Sequence, residues 1–509
     1  MIDAIDWIAQ WALYSPEKVA VSEIETGRSY TYGQLNHIAD HLANELINEH
    51  RLEKGDRIVV LAEHCLEYVV LFSVAQKTGL ILVPLNYRLA PAEIDYLIVN
   101  AEPKLTIVED KFADRVSGIA AMEKVTLSWT LEDLVAKCGQ TLHKGKVESK
   151  HAPDIADDDP FFILYTSGTT GFPKGAVYTH KMLLWNSFNT TIGLNITSED
   201  ITVLCMPPFH TGGWNVLLTP IIHRGGRVSI FKKFDAIEVL KALEEEQANI
   251  FMAVPTMLKM MTESTSFDST NLEAMRYFIV GGEALPLPVI ETWHNKGVKL
   301  RQGYGLTEVG PNLTSLHHDD AIRKIGSIGR PNFFVTSKII DENGEQVKQG
   351  EIGEFCFKGD IVTPGYWRNT EATEKAFING WFRTGDLVKA DEEAFLYVMD
   401  RKKNMFISGG ENVYPAEVER VICQHSQVSE VAVVGVSDVK WGEVGKAYVV
   451  PSEDIDQEVL LNFCREQMAK FKVPKYFEFV SELPKTDSGK IDRKVLAQLG
   501  DDQKKRVPN

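Results

Sequence analysis

The sequence Tyr165-Thr-Ser-Gly-Thr-Thr-Gly-Phe-Pro-Lys-Gly175 continues a short apolar run that begins at residue 161. Residues 166–171 are all glycine or hydroxyl-bearing, so backbone N–H groups and hydroxyls can surround an anion, and Lys174 adds a positive charge. The Walker pattern does not fit, because a proline precedes Lys174 and a glycine follows it. An ordinary surface loop is the alternative, but the preceding strand and the Pro-Lys-Gly ending favour a phosphate loop of another kind.

Around this loop, short β-branched or aromatic runs alternate with amphipathic segments of helix length. Buried strands are predicted at residues 58–62, 80–83, 161–165, 203–206, 227–231, 250–254 and 276–280. Helices are predicted at residues 183–192, 214–223, 236–247 and 286–295. Strands connected by segments of helix length predict an α/β protein whose mostly parallel sheets are flanked by helices.

The pattern changes after about residue 330, where a β-rich subdomain is predicted. Hairpin strands are expected at residues 338–341, 354–358 and 395–399, and a βαβ-like unit fills the last hundred residues, with a helix at 456–471. The charged run Asp400-Arg401-Lys402-Lys403 lies between the two patterns. It predicts a large N-terminal domain at 1–400 and a small, mobile α+β domain at 401–509.

Composition limits the class of protein. The chain has 509 residues, too many for one ordinary core of about 100–200 residues, and 25% of them are charged. A net charge of −17 argues against a constitutive nucleic-acid partner or anionic membrane surface. The acidic N-terminus and the lack of an apolar run of ~20 residues predict no targeting or integral membrane segment. The six cysteines form no C-x-x-C pair, which fits buried thiols in a cytoplasmic protein.

Several candidate ligand-binding loops directly follow predicted strands. Thr166 follows the strand at 161–165, Pro207 that at 203–206, and Gly281 that at 276–280. Since ligands of open parallel sheets bind outside the carboxyl ends of strands, these loops are expected to converge on one crevice. The pair Gly281-Gly282 would let a flat adenine approach the backbone, and Tyr304 could stack on it.

Three further side chains suit a nucleotide. Thr307 offers a hydroxyl for a phosphate oxygen, and Glu308 offers the hard carboxylate that Mg²⁺ prefers beside triphosphate oxygens. Asp386, an acceptor-only group, suits the two ribose hydroxyls. Taken singly, each carboxylate is more often an ordinary surface group, so the assignment depends on the ordered set.

The phosphate loop resembles that of the adenylate-forming superfamily, which includes acyl-CoA synthetases, aryl-CoA ligases, peptide-synthetase adenylation domains and firefly luciferase. Further motifs follow in the order of that family, so the resemblance covers essentially the whole chain. They are Pro207-Pro-Phe-His-Thr-Gly-Gly213, Gly281-Gly-Glu-Ala284, Gly303-Tyr-Gly-Leu-Thr-Glu308, Trp381-Phe-Arg-Thr-Gly-Asp386, Asp400-Arg-Lys-Lys403, Ser408-Gly-Gly-Glu-Asn-Val-Tyr-Pro415 and Pro484-Lys-Thr-Asp-Ser-Gly-Lys490.

The resemblance implies a set of site residues. Residues implied to bind the nucleotide are Thr166, Ser167, Gly168, Thr169, Thr170, Gly171, Lys174, Gly281, Gly282, Glu283, Gly303, Tyr304, Gly305, Asp386 and Arg401. Residues implied in catalysis are Lys490, His210, Thr307 and Glu308, with His210 as a gate between the ATP and acyl sites. Thr170 and Glu308 are implied to hold Mg²⁺, Gly409 and Gly410 to face coenzyme A, and Lys403 to be the hinge.

The implied activity is that of an ATP-dependent acyl-CoA ligase acting through an acyl-adenylate, with a small carboxylic acid, ATP and CoA as ligands. The acyl site is expected within residues 211–216, 251–257 and 278–284, with contacts from Trp214, Val254 and Gly282. These windows hold no Arg or Lys, which favours an apolar acyl tail over a diacid. A medium- or long-chain fatty acid is the first choice and an aryl carboxylate the second.

Three rival functions stay open: a peptide-synthetase adenylation domain, a luciferase-like adenylating enzyme, and a non-catalytic nucleotide sensor. A carrier domain would normally follow the first, and this sequence ends 19 residues after Lys490. A sensor would be expected to have lost Lys490, Glu308 or Asp386, and all three are present. The sequence leaves monomer and homodimer equally open.

Overall fold

The structure is a computed structural model that describes residues 6–148, 154–166, 173–282, 285–408, 411–486 and 490–504. The chain divides into two compact units, residues 1–337 with 357–382, and residues 338–356 with 383–509. The sequence predicts domains at 1–400 and 401–509; the segment 401–509 lies wholly in the second unit, which also takes in 338–356 and 383–400. The reason is pairing: the strand Leu396–Arg401 pairs with Trp381–Ala390, and Asp400 accepts a hydrogen bond from the backbone N–H of Ala416.

The first unit contains a sheet of six strands. Neighbouring strands are parallel except in the final hairpin, where residues 160–166 and 174–179 pair antiparallel. In spatial order the strands are Leu127–Thr130, Leu105–Val108, Arg57–Leu61, Ile81–Pro84, Pro160–Thr166 and Lys174–Thr179. The predicted strands at 58–62, 80–83 and 161–165 are confirmed.

A second sheet of the first unit carries the other predicted strands. Its six central strands are parallel, which the crossovers of helix length in the sequence predict. In spatial order the strands within this unit are Ser327–Pro331, Gly310–Ser315, Leu300–Leu306, Tyr277–Val280, Ile250–Ala253, Ile201–Leu204, Arg227–Ile230, Val19–Glu23 and Ser29–Thr31.

Helices cover these sheets, and side-chain caps fix several of their starts. Thr31 and Gln34 form a capping box, and the Asp235 carboxylate accepts from the N–H groups of Ile237 and Glu238. The α-helices of the first unit are Trp7–Tyr14, Tyr32–Asn44, Leu66–Thr78, Pro91–Ala101, Ala113–Val116, Leu131–Thr141, His180–Gly193, Leu218–Arg224, Ala236–Glu245, Pro255–Thr262, Leu287–Asn295 and Thr370–Ala376. The predicted helix at 214–223 starts later, at Leu218, because a 3₁₀ turn occupies residues 211–213.

The second unit is rich in strands. One group of four strands lies mostly in this unit, and a few end residues of three of them belong to the first unit. These strands are Thr336–Ile340, Ile352–Lys358, Trp381–Ala390 and Leu396–Arg401. A separate sheet consists of Glu411–Val413, Phe406–Ser408, Gly442–Pro451, Val428–Asp438 and Tyr476–Phe479. Its α-helices are Pro415–Ile422, Gln457–Gln467 and Arg493–Lys504. The strands 442–451 and 476–479 are parallel and joined through the helix 457–467, which confirms the predicted βαβ-like unit.

Two further findings concern the residues that the structure describes. No helix among them combines the length and apolarity needed to cross a bilayer. Five of the six cysteines are buried free thiols, as expected for small hydrophobic side chains, and Cys423 is exposed.

Candidate active site

Three predicted site segments leave the second sheet at the same edge. The parallel register places Ala253 beside Val280 and Val280 beside Gln302, so Val254 and Gly281 follow two neighbouring strand ends, and Gly303 lies where the parallel pairing of the third strand ends. A Cβ added to Gly281 would lie 3.5 Å from the carbonyl oxygen of Gly303. A side chain there would be in ordinary van der Waals contact with that oxygen, so the two glycine positions lie close together at this edge.

Position 282 requires a glycine because of its backbone conformation. Its φ of +92° is one that L side chains rarely adopt, and a Cβ there would lie 3.9 Å from the Val254 Cγ1 atom. The two residues proposed to contact the acyl group, Val254 and Gly282, are therefore neighbours. Glu283 lies outside the described residues.

The base of the phosphate loop is a β-hairpin. Thr166 pairs with Lys174, and the Thr166 hydroxyl donates to the Lys174 carbonyl oxygen over 3.4 Å. The loop residues Ser167, Gly168, Thr169, Thr170 and Gly171 lie outside the described residues. The structure therefore shows how the two ends of the loop are held.

Thr307 and Glu308 directly follow the strand Leu300–Leu306, in a 3₁₀ turn, and both are half-buried. Gly305 makes the approach to the next strand possible, because a Cβ there would lie 2.3 Å from the Pro311 backbone. Tyr304 is half-buried on the same strand. The motif is thus a strand end that presents a hydroxyl and a carboxylate side by side.

The segment 363–367 joins this motif to the phosphate-loop hairpin. The Thr363 N–H donates to the Glu308 carbonyl oxygen over 2.7 Å, and the Trp367 N–H donates to the Gly175 carbonyl oxygen over 2.7 Å. The Tyr366 hydroxyl donates to Glu308 Oε1 over 3.0 Å, and the Lys174 Nζ lies 5.3 Å from the centre of the Tyr366 ring. Sequence reasoning missed Tyr366, because no short motif marks it and its partners are 58 residues away or further.

In the second unit, the structure brings Asp386 and Arg401 together. They are register partners in neighbouring antiparallel strands, and the Arg401 Nε lies 2.5 Å from Asp386 Oδ1. Asp386 is buried, and its N–H donates to the Thr384 hydroxyl over 3.0 Å. The guanidinium thus orients the carboxylate that the sequence assigns to ribose.

The turn around Lys403, the predicted hinge, is organised by a carboxylate of the charged run at residues 400–403. The buried Asp400 accepts from the Arg401 N–H at 2.6 Å, from the Asn404 side chain at 3.0 Å and from the Ala416 N–H at 2.7 Å. It therefore fixes the turn that contains Lys403 to the start of the helix Pro415–Ile422. Lys403 itself is exposed.

The remaining predicted residues of the second unit lie on or near loops. Lys490 is exposed, at the end of a loop closed by a bridge between Lys485 and Ile491 and by a 2.7 Å bond from the Thr486 N–H to the Lys490 carbonyl oxygen. The tip of that loop and the pair Gly409-Gly410 lie outside the described residues.

His210 precedes a tightly wound turn at residues 211–213. A Cβ on Gly213 would lie 2.3 Å from the Pro207 carbonyl oxygen, and the Phe209 and His210 rings are 4.6 Å apart. The buried His64 contacts this turn, and its Nε2 atom lies 3.3 Å from the Gly213 carbonyl oxygen. Burial lowers the pKa of His64 to about 4, so its ring is neutral at physiological pH.

Trp214 lies in the core and not at the wall of an open pocket. Its side chain is 0% exposed and packs against Tyr68, Phe72 and Phe162, with ring-centre distances of 4.9–6.2 Å. Its Nε1 donates to the Pro208 carbonyl oxygen over 2.6 Å. The expectation that this side chain limits the acyl pocket is therefore replaced by a structural role, in which Trp214 anchors the Pro207–Gly213 loop from inside.

Trp214→Ala is accordingly expected to lower the free energy of unfolding by about 3–5 kcal/mol, because it removes a large core side chain and leaves a cavity. Chemical denaturation followed by circular dichroism measures this loss. Trp441→Ala, at a side chain that is 47% exposed, is the matched control and should cost under about 1 kcal/mol. Wild-type stability of Trp214→Ala would contradict the core assignment.

A cationic cavity of about 320 Å³ in the first unit was not anticipated from the sequence. Three basic side chains and a pair of aromatic rings surround it, and the Tyr87 and Phe112 rings are stacked with centres 5.0 Å apart. Tyr87 also contacts Phe209, beside His210, with ring centres 5.3 Å apart. The lining residues are Glu63, Tyr87, Arg88, Phe112, Arg115 and Lys233.

Comparison with known proteins agrees with this geometry. The family model "AMP-binding enzyme" matches residues 8–367, and "AMP-binding enzyme C-terminal domain" matches residues 417–490. The chain is 36% identical to a long-chain-fatty-acid–CoA ligase, FadD13, of Mycobacterium tuberculosis, over 97% of this chain and 98% of that protein. It is 35% identical to a feruloyl-CoA synthase of Amycolatopsis sp., over 95% and 96% of the two chains.

Among solved structures, the o-succinylbenzoate CoA synthetase (MenE) of Bacillus subtilis, in complex with the acyl-adenylate intermediate OSB-AMP, matches with a TM-score of 0.86. The identity is 30%, over 96% of this chain and 97% of that one. The chain therefore belongs to the AMP-binding enzyme family. Within that family it is an AMP-forming acid–CoA ligase.

Proposed function

We propose that this ligase activates an apolar carboxylic acid, with a medium- or long-chain fatty acid as the first choice. The observation that carries the proposal is the composition of the acyl windows: residues 211–216, 251–257 and 278–284 contain no Arg or Lys. A second carboxylate of a diacid would be buried there without a counter-charge, which is costly. An aryl carboxylate is the second candidate, favoured by the similarity to a feruloyl-CoA synthase.

The reaction is proposed to proceed in two halves. The substrate carboxylate attacks the α-phosphorus of ATP, which gives acyl-adenylate and releases diphosphate. The CoA thiolate then attacks the acyl carbon, and AMP leaves. Adenylation converts the carboxylate, a poor electrophile, into an acyl-adenylate, which is a good one, so no side-chain nucleophile is needed.

In the first half-reaction, the phosphate-loop residues 166–174 are proposed to bind the β- and γ-phosphates and Thr307 the α-phosphate. Asp386, oriented by Arg401, is proposed to accept hydrogen bonds from the ribose hydroxyls. Thr170 and Glu308 are proposed to hold the cation; the half-buried Glu308 carboxylate is the hard oxygen ligand that Mg²⁺ prefers, and Thr170 lies outside the described residues. Mg²⁺ held there would neutralise charge on the triphosphate.

The second unit is proposed to serve the two halves in turn. Lys490 acts during adenylation, and the segment at Gly409 and Gly410 faces the pantetheine arm during thioester formation. The domain at 401–509 therefore rotates between the two half-reactions, with its pivot at Lys403. The hydrogen bonds from Asn404 and Ala416 to Asp400 span this pivot, so the rotation is expected to break them.

The cationic cavity is proposed to take the nucleotide end of CoA. Its basic side chains suit phosphate groups, its stacked rings suit a base, and Phe209 links it to the loop of His210. Arg88, whose guanidinium lies 5.7 Å from both the Tyr87 and Phe209 rings, is placed to bind a phosphate.

Arg88→Ala is expected to raise the KM for CoA about 10-fold or more and to leave the KM for ATP unchanged, because one charge-assisted hydrogen bond is lost. Steady-state kinetics with each substrate varied in turn measures the effect. Lys241→Ala, which removes an exposed cation at a distance from the cavity, is the control. An unchanged KM for CoA would remove Arg88 from the CoA site.

The proposed function is tested by incubating the purified protein with ATP, CoA and a panel of carboxylic acids, read out as AMP release. Saturated acids of increasing chain length, benzoate, ferulate and a diacid belong in the panel. Turnover that rises with chain length supports the fatty-acid proposal, and a preference for ferulate supports the aryl alternative. A preference for the diacid would contradict the apolar site, and light emission with a suitable acid and oxygen would favour the luciferase-like alternative.

A further inference from the structure

The Tyr366 side chain lies between two groups of opposite charge in the candidate ATP site. Its hydroxyl donates to Glu308 Oε1 over 3.0 Å, and its ring faces the Lys174 ammonium, with Nζ 5.3 Å from the ring centre. Both contacts are of kinds that a tyrosine makes well: a hydrogen bond to a carboxylate from the ring edge, and a cation over the ring face. One side chain therefore contacts both a proposed cation ligand and the proposed phosphate-binding lysine.

The backbone around Tyr366 is fixed on both sides. The Tyr366 N–H donates to the Thr373 hydroxyl over 2.9 Å, and the next residue, Trp367, donates its N–H to the Gly175 carbonyl oxygen. On the other side, the Thr363 N–H donates to the Glu308 carbonyl oxygen, and the Thr363 hydroxyl donates to the Val177 carbonyl oxygen over 2.6 Å. The ring is therefore held at the point where the loop hairpin and the Thr307-Glu308 turn meet.

A purely structural tyrosine would be expected to hydrogen bond to a neutral backbone group. Tyr32 and Tyr68 do so: their hydroxyls donate to the carbonyl oxygens of Gly226 and Ala62, over 2.7 and 3.3 Å. Tyr366 instead donates to the half-buried carboxylate of Glu308. A carboxylate that must bind a cation benefits from a donor that fixes one of its oxygens and thereby orients the other.

We propose that Tyr366 is a positioning residue that orients the Glu308 carboxylate for the divalent cation of the ATP complex and holds Lys174 at the mouth of the phosphate loop. The inference rests on the proposed function, because Glu308 and Lys174 have these roles only in an ATP-using enzyme. The hydroxyl affects cation binding through Glu308, and the ring affects ATP binding through Lys174. Variants that remove the hydroxyl alone or the whole ring therefore separate the two effects.

The test uses Mn²⁺ as the probe cation, with its binding to the enzyme–ATP complex followed by electron paramagnetic resonance. Tyr366→Phe keeps the ring and removes the hydroxyl, so the Mn²⁺ concentration for half-saturation is expected to rise about 10-fold, while metal-free ATP binding is unchanged. Tyr366→Leu removes the ring as well and is expected to weaken metal-free ATP binding also. If the leucine variant fails to fold, the phenylalanine variant still decides the role of the hydroxyl.

Two controls separate positioning from general destabilisation. Trp367→Phe removes a side-chain hydrogen bond of similar length in the same segment, from Nε1 to the Asn100 carbonyl oxygen at 3.1 Å, and should leave Mn²⁺ binding unchanged. In a Glu308→Gln background, Tyr366→Phe should change Mn²⁺ binding by less than about twofold, because the anionic ligand that Tyr366 orients is already replaced by a neutral amide.

Wild-type Mn²⁺ binding by Tyr366→Phe, or an equal shift in Trp367→Phe, would overturn the inference. AMP release by the wild type tests the proposed function separately. A wild type that turns over while Tyr366→Phe binds Mn²⁺ normally overturns the positioning role alone.

Discussion

Lys490→Ala is expected to slow acyl-adenylate formation by roughly 10²–10³-fold or more, the scale of losing one preorganised electrostatic contact to the transition state. Negative charge builds up between the attacking carboxylate and the α-phosphate, and an ammonium group stabilises it only if it is held in place. The closed loop between Lys485 and Ile491 provides such a base for Lys490. The same variant, given synthetic acyl-adenylate and CoA, should form thioester at close to the wild-type rate.

The two half-reactions are measured separately, by diphosphate release without CoA and by thioester formation from synthetic adenylate. Lys485→Ala is the matched control, because it removes a lysine from the same loop that pairs with Glu430 at the surface. It should leave both rates near wild type. A bulky substitution at Gly409 is expected to have the opposite effect and to slow thioester formation alone. Equal slowing of both halves by Lys490→Ala would contradict the proposed division of labour.

Seven strands of the two sheets could be predicted from sequence because they are mostly buried and apolar, whereas others, such as Val19–Glu23 and Leu105–Val108, were not predicted. Runs such as residues 58–62 and 250–254 are almost wholly apolar and are bounded by polar turns, so local composition defines them. The strand ends then predicted which loops meet. The parallel pairing of Ile201–Leu204, Ile250–Ala253 and Tyr277–Val280 puts the loops at Pro207 and Gly281 at the same edge of one sheet, whereas Thr166 ends a strand of the other sheet.

Features that depend on distant contacts could not be predicted in this way. The second unit takes in residues 338–356 and 383–400 because of strand pairing, which a charged run in the sequence does not report. Trp214 follows a glycine-rich loop, which made it a candidate pocket wall, but its environment is set by Phe72 and Phe162 from other segments. Tyr366 is similar: its importance comes from Glu308 and Lys174, and neither is its neighbour in sequence.

Glu308→Gln is expected to leave the fold intact and to reduce adenylation by on the order of 10²-fold or more, because it removes an anionic ligand from the proposed cation site. The substitution preserves shape, and the amide oxygen can still accept the hydrogen bond that Tyr366 donates to Oε1. The loss should therefore appear in metal-dependent turnover and not in stability. A 10²-fold loss corresponds to about 2.7 kcal/mol of transition-state stabilisation.

The measurement is the initial rate of AMP release as Mg²⁺ is varied from limiting to saturating, with unfolding followed in parallel. If Glu308 binds the cation, the variant needs more Mg²⁺ for half-maximal rate, and saturating Mg²⁺ restores part of the activity. Glu199→Gln, at a side chain that is 86% exposed, removes the same charge from the same unit and should change neither curve. Since the two variants have equal net charge, a difference between them must come from the site of Glu308. Near wild-type turnover of Glu308→Gln at limiting Mg²⁺ would show that other residues bind the cation. The hydrogen bond from the Tyr366 hydroxyl to Glu308 would then have no role in cation binding.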